Sequence, residues 1–413
     1  MNTTSQVIVV LAVLFCTNCT TIKETSSLQP FIEKIDLFEA ETDGYAHYRV
    51  PAITVSAKGT VLAFAEARRS SYGDWGPQDI LMRRSYDGGR TWEPPRAIAH
   101  VEGEIQQNPA ALAQGLSETG DITYSNIVPI ADQKTGDLHF LFCVEYARCY
   151  YMLSRDDGNT FTEPTDITET FEKFRAEYNW KVIATGPGHG IQLSSGRLLV
   201  PVWISDGTAG HAHRPSIVSV IYSDDNGHTW ERGEVVVRHP DLVNPSESLA
   251  LQLADGRTML NIRSESPEHR RAIAYSNDGI TQWSKPIFHP DLIEPICMGS
   301  LVRLSTEAKH GRNRILFANP NSTEPSNDWN SGNFKRQNLT VRISYDEGET
   351  WPLMRPIEPG VSGYSDLAVG PDGTIYLIYE RGTPTDRGTH VKYLTLARFN
   401  LEWLTETADR WTH

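Results

Sequence analysis

Positive charge is in short supply in this sequence: 38 Lys and Arg face 52 Asp and Glu across 413 residues, a formal net charge of -14. Proteins that bind nucleic acid in general rely on Lys and Arg to displace counterions, so that class of partner is set aside. The same imbalance repels anionic ligands unless cations are gathered locally. Long apolar runs are also missing. The nearest, VIVVLAVLFC at 7–16, is shorter than the ~20 residues a spanning helix requires, so no transmembrane domain is expected. Cysteine is sparse, with five in the chain; apart from Cys16 and Cys19 in the leading segment no pair has CxxC spacing, and no HExxH occurs, so a zinc site has no support. The Gly-rich stretch ATGPGHGIQL at 184–193 lacks the Lys of a phosphate-binding loop. Helical periodicity is nearly absent, apart from one short-helix candidate in DITETFEKFRAEYNW.

The apolar run at 7–16 has the length of a secretory h-region. Residues 1–22 are therefore read as a signal peptide or lipoprotein signal, and the protein as exported: periplasmic, extracellular or lipid-anchored at the cell envelope. Cleavage leaves Cys143, Cys149 and Cys297, which is no disulfide framework. Cys143 and Cys149 flank VEYAR and are placed to face each other across a hairpin, as a disulfide or as two free thiols.

A repeat runs through the rest. SYDGGRTW (85–92), SRDDGNTF (154–161), SDDNGHTW (223–230) and SYDEGETW (344–351) share Ser-x-Asp-x-Gly-x-Thr-aromatic, and a degraded copy, SNDGITQW, lies at 276–283. The Asp accepts bonds from nearby backbone N–H groups, the Gly supplies a positive φ, and the aromatic ring packs between sheets. In the degraded copy Ile280 and Gln282 replace the Gly and Thr, so an altered turn is expected there. These Asp residues lack the ligand series of a calcium loop and are read as structural. Short β-rich runs such as DILMRRS, LHFLFCV, SIVSVIYS and TIYLIYE surround the copies. Repeats of this period suggest propeller blades of four antiparallel strands. Dividing 31–413 by six leaves about 64 residues per blade, so one six-bladed β-propeller domain is expected over that span. FIEKIDLFEA and YLTLARFNLEWL are placed to pair and close the ring.

Together with YRVPAI at 48–53, the repeats resemble the Asp-boxes, or BNR repeats, and the Phe/Tyr-Arg-Ile/Val-Pro motif of exo-α-sialidases, glycoside hydrolase family 33. The resemblance extends from about residue 35 to 405. It implies an exo-α-sialidase that hydrolyses terminal α-linked sialic acids with retention, acting on sialylated glycans, glycoproteins or glycolipids. It implies no cofactor and no metal, and the protein is expected to be a monomer.

The resemblance further implies roles for single residues. Arg49 in YRVP, Arg263 in MLNIRSE and Arg342 in NLTVRISYD form an arginine triad that grips the substrate carboxylate. A planar guanidinium suits that task because it bonds a carboxylate through two parallel N–H groups. Tyr364 in SGYSDLAVG is the nucleophile, with Glu247 in NPSESLALQLADG as its base. A phenol spares the approach of one carboxylate to another, on the order of 4 kcal/mol at 4 Å with an effective dielectric of 20. It needs a base because free tyrosine titrates near ~10. Asp74 in SSYGDWGPQD is the acid/base, preferred to Asp79, which directly precedes a strand. Arg68, preferred to Arg69, contacts the sugar near its 4-hydroxyl. Glu380 in YLIYERG orients Arg49. His189 is read as structural or as a contact to the glycerol chain, and the loop 205–216, with His211, His213 and Arg214, as a rim on the aglycone side. The polar segment 320–338 also shapes the rim. Trans-sialidases, hydrolases preferring the deaminated nonulosonic acid, and a non-catalytic sialoglycan-binding propeller are the alternatives.

Overall fold

A computed structural model describes residues 29–412, except 71–72, 327–333, 384–385 and 387–390. The signal segment at 1–22 and the middle of the 320–338 loop lie outside the described residues. Among the described residues no helix is long and apolar enough to cross a membrane.

The chain forms an all-β, propeller-like arrangement of antiparallel sheets. Three sheets have four strands each: His47–Val55, Val61–Arg68, Gln78–Ser85 and Arg96–Ala97; then Tyr124–Ala131, Leu138–Val144, Arg148–Ser154 and Thr165–Asp166; then Ser248–Gln252, Thr258–Ile262, Arg270–Ser276 and Ile287–Ile293. A six-stranded sheet is centred on Leu198–Ser205 and Ser216–Ser223. The largest sheet has seven strands and runs from Ser300–Ser305 to Ile32–Glu39. The expected six separate four-stranded blades are thus found as five hydrogen-bonded sheets. The cause lies in one strand: Leu353–Val369 is 17 residues long. It pairs backwards with Gln337–Ser344 and forwards with Ile375–Arg381, so no break separates the two halves.

The ring closes as its ends predict. Ile32 to Glu39 pair antiparallel with Phe399 to Tyr393, and the Arg381 guanidinium clasps Asp36 at 2.7–2.8 Å across the seam. The short helix also appears, as Glu169–Glu172 followed by a 3-10 turn at Lys173–Ala176. Cys143 and Cys149 are direct partners across their hairpin. Both are buried, and both thiols are free.

The repeated turns share one bonding pattern. Asp87 accepts from Thr91 N at 2.9 Å and Thr91 Oγ1 at 2.7 Å, while Ser85 Oγ accepts from Gly89 N at 2.8 Å. The same set recurs at Asp156, Asp225 and Asp346. The degraded copy keeps these bonds by shortening the turn by one residue. Gly279 takes the positive φ, and Thr281 supplies N–H at 2.8 Å and a hydroxyl to Asp278. Gln282, at φ 50°, absorbs the extra residue. Glycine is required at 227 on two counts: φ is +86°, and a Cβ would lie 2.3 Å from the Tyr151 hydroxyl oxygen.

Candidate active site

Two inner strands carry the same local device. His47–Val55 and Tyr124–Ala131 each contain a bulge, between Arg49 and Ala52 and between Ser125 and Val128. A residue with positive φ sits in each, Val50 at 51° and Asn126 at 56°. Such a conformation costs about 1–3 kcal/mol, most for a β-branched side chain. A buried glutamate holds each in place: Glu380 accepts Val50 N at 3.2 Å, and Glu66 accepts Asn126 N at 2.8 Å. Bulges of this kind re-aim side chains next to functional sites. Here they turn Arg49 and Asn126 towards one cavity of about 240 Å³.

Glu380 is fully buried and organises one wall. It accepts from Arg49 Nε at 3.0 Å and Nη2 at 3.4 Å, and from Tyr364 N at 3.0 Å. Its neighbour must be glycine, since a Cβ on Gly363 would fall 2.2 Å from Glu380 Oε2. The expected pairing of Glu380 with Arg49 is therefore present in the geometry.

Tyr364 and Glu247 meet in the cavity wall. The Tyr364 hydroxyl donates to Glu247 Oε1. Arg263 Nη1 donates both to the Tyr364 oxygen, at 2.7 Å, and to Glu247 Oε2. Burial drives the Tyr364 phenol well above the usual tyrosine range; Arg263 opposes it, Glu247 adds to it, and Arg336 and Arg49 oppose it. Three guanidiniums surround the ring, those of Arg49, Arg336 and Arg263, at 5.1, 5.2 and 5.9 Å from its centre.

Asp74 stands opposite on the same cavity. Its Oδ1 lies 3.4 Å from Arg68 Nη2 and 3.9 Å from Arg49 Nη1, and its Oδ2 lies 3.7 Å from His213 Nδ1. Burial raises its proton affinity, but Arg68, His213, Arg49 and His211 together outweigh that and hold the carboxyl below the usual range. Asp79 is elsewhere, bonded to the Tyr45 hydroxyl at 2.7 Å and to Arg69. Arg69 is half-exposed over the Tyr45 ring. Neither lines the cavity.

Two expected positions require correction. Arg342 is not among the residues lining the cavity: its Nη1 donates to Asn319 Oδ1 at 3.3 Å, and burial brings its pKa down to about 10 against the pull of Asp291. Arg336 lines the cavity instead, with Nη2 on Ile296 O at 2.6 Å and Nη1 buried without a partner among the described residues. The reason is strand length. Six extended residues span roughly 20 Å. Arg342 lies two residues before Ser344, which opens an Asp-box, and Arg336 lies at the opposite end of that strand. Proximity to the Asp-box was the signal that could have excluded Arg342. Arg68 is the second. It is buried behind Asp74, with Nη2 on Glu66 at 2.8 Å and Nη1 on Gly73 O, and it does not line the cavity. It acts on the site through Asp74.

The 205–216 loop does reach the cavity, with His211, His213 and Arg214 in its wall. Arg214 forks onto Glu265 at 2.6–3.0 Å, and Asn244 also donates to Glu265, at 2.8 Å. His189 is not in the wall. It bonds Asp366 Oδ1 at 2.8 Å, and Asp366 also accepts Ile53 N and Ser300 Oγ, which ties three elements together near the axis. Sequence reasoning missed Arg336, Glu66 and Tyr146 altogether.

A model of the BNR repeat-like domain matches residues 118–377. A sialidase of Micromonospora viridifaciens is 32% identical over 396 residues, covering 91% of this chain and 55% of that protein. A sialidase of Bacteroides fragilis is 28% identical over 369 residues, covering 83% of this chain and 61% of that protein. The chain thus spans a little over half the length of these two relatives. Among solved structures, the Hadza microbial sialidase Hz136 superposes with a TM-score of 0.71 at 24% identity, covering 90% of this chain and 69% of that one, a likeness of fold.

Proposed function

The chain belongs to the BNR repeat-like domain family, and on that premise we propose that it is an exo-α-sialidase acting on sialylated glycans. The observation that carries this reading is the Tyr364 hydroxyl bonded to Glu247, with three guanidiniums about its ring and Asp74 on the same cavity. That set suits a sugar whose anomeric carbon bears a carboxylate. Arg49, Arg263 and Arg336 bind the carboxylate through forked N–H groups. Their clustering gives an acidic protein a local positive field.

In the first step the Tyr364 oxygen bonds to the anomeric carbon and its proton passes to Glu247. The glycosidic C–O bond breaks with its electron pair on the leaving oxygen, which takes the proton of Asp74. In the second step Asp74 removes a proton from water, and the water oxygen displaces the phenol, which recovers its proton from Glu247. Two displacements at one carbon retain configuration. A tyrosine nucleophile in sialidases is a known exception to the two-carboxylate rule. Asp74 is held ionised in the free protein against burial, chiefly by the permanent charges of Arg68 and Arg49. A bound carboxylate at Arg49 cancels part of that field, so Asp74 gains its proton in the complex.

Two structural readings accompany this one. The long strand Leu353–Val369 is taken as shared by two blades, which makes six units in the ring. The run at 7–16 is taken as an export signal. The test of function is release of 4-methylumbelliferone from its α-sialoside, with product NMR in the presence of an acceptor glycan. Release by the wild type and its loss in Tyr364→Phe support the reading; binding without release would replace it with a lectin, and transfer to the acceptor with a trans-sialidase.

A further inference from the structure

The two oxygens of Asp74 are not equivalent. Oδ1 faces Arg68 and Arg49, and Oδ2 faces Nδ1 of His213 at 3.7 Å. A carboxyl proton avoids the oxygen that faces two cations, so it resides on Oδ2, beside the imidazole. His213 is held there by aromatic packing. Its ring centre lies 4.6 Å from that of Trp75, 5.0 Å edge-on to Trp203, 5.5 Å from Tyr146 and 5.0 Å from His211. Its Nε2 is buried and has no partner among the described residues, so Asp74 is the polar group its ring addresses.

We propose that His213 is a positioning residue for Asp74: a neutral imidazole, locked by its aromatic cage, that keeps Oδ2 turned away from the arginines and available to carry the catalytic proton. This rests on the reading of Asp74 as the acid/base. The charged and titratable groups around the pair agree with a neutral ring. Burial pushes His213 down to about 4, Asp74 opposes this, and His211, Arg214 and Arg263 reinforce it. Asp74 in turn feels Arg68, Arg49 and His211, with Glu66 and the Tyr146 phenol behind it. A cationic imidazole would fix Asp74 as a carboxylate; a neutral one orients it and leaves it free to gain and lose a proton. Without the ring, Oδ2 loses the contact that faces it, and the carboxyl turns towards Arg68 and Arg49.

The test compares two leaving groups. Umbelliferone departs as a stabilised phenolate, whereas the lactose of α2,3-sialyllactose needs a proton. His213→Leu and His213→Gln are assayed on both substrates, with thermal melts to confirm folding. The expected result is a fall in kcat/KM of at least about tenfold for sialyllactose, part of the ~10²–10⁴ that general acid catalysis supplies, against less than about threefold for the umbelliferyl substrate. Gln, which keeps a neutral polar group on that side of Asp74, is expected to retain part of the activity and keeps the test open if the Leu variant does not fold. On an Asp74→Asn background His213→Gln costs nothing further. Equal losses on both substrates, no loss on either, or an undiminished cost on the Asn background would overturn the proposal. A wild-type protein that cleaves neither substrate would instead overturn the sialidase reading itself.

Discussion

Arg336 and Arg342 offer the sharpest contrast, because the sequence pointed to one and the cavity contains the other. Arg336→Ala removes a guanidinium that lies 5.2 Å from the Tyr364 ring centre and whose Nη1 is buried without a partner among the described residues. A charge-assisted hydrogen bond contributes about 1.5–3 kcal/mol. The loss in kcat/KM for a sialoside is thus about 10- to 150-fold, with Arg49 and Arg263 still in place. The defect should fall mainly on KM if the carboxylate is bound alike in ground and transition states. Arg336→Lys keeps the charge but not the fork, so it recovers only part. Arg342→Ala removes a group bonded to Asn319 and outside the cavity wall; kcat/KM should stay within about threefold of wild type. Steady-state kinetics on the umbelliferyl sialoside, with thermal melts alongside, decides the matter. Comparable losses for the two Ala variants, or a larger one for Arg342→Ala, would refute the placement.

Three further outcomes are expected. Tyr364→Phe should lower kcat by about 10³-fold or more with an unchanged circular dichroism spectrum, and near-normal turnover would remove Tyr364 from the chemistry. Glu380→Gln keeps the shape beside Arg49 but leaves a buried guanidinium without its counter-charge, so urea denaturation should show a loss of about 3–5 kcal/mol; an unchanged midpoint contradicts the role drawn for that pair. Asp74 gives a pH signature of definite sign. Its folded-state pKa is depressed, on balance, by Arg68, His213, Arg49 and His211 against burial. Its stabilising contribution is present above the unfolded value of about 4 and fades as pH falls below it. The thermal advantage of wild type over Asp74→Asn should therefore hold at pH 6 and shrink below about 4. In turnover, the limb assigned to Asp74 should lie at higher pH in kcat than in kcat/KM, since substrate binding offsets Arg49.

Much of the site was legible because it is tied to short motifs. YRVP placed Arg49, the spacing of Glu247 to Arg263 placed both ends of one hairpin, and the Gly-rich loop after a strand placed Asp74 over Asp79. The repeat turns carried their own hydrogen bonds within eight residues, so their form followed from local chemistry. Even the degraded copy kept its Asp and Thr contacts by a one-residue shift. Ring closure was legible as well, because the β-rich segments at the two ends of the propeller span were placed to pair with each other.

Contacts between distant segments were a different matter. Sheet count depended on whether strand 353–369 breaks, and it runs on through both pairings. The choice of Arg336 over Arg342 depended on which end of a strand faces the axis, a distance of roughly 20 Å that a motif of neighbouring residues does not encode. Glu66 became visible only once a bulge with positive φ needed an acceptor for Asn126, and the second task of Glu380, accepting Val50 N, emerged in the same way. His213 sat in a loop with no motif at all, and three aromatic rings from separate segments brought it to Asp74. Residue types and local turns are properties of short stretches, and the sequence by itself determined those. Which oxygen, which arginine and which histidine face one cavity is set by packing among segments up to hundreds of residues apart, and only the tertiary structure decided that.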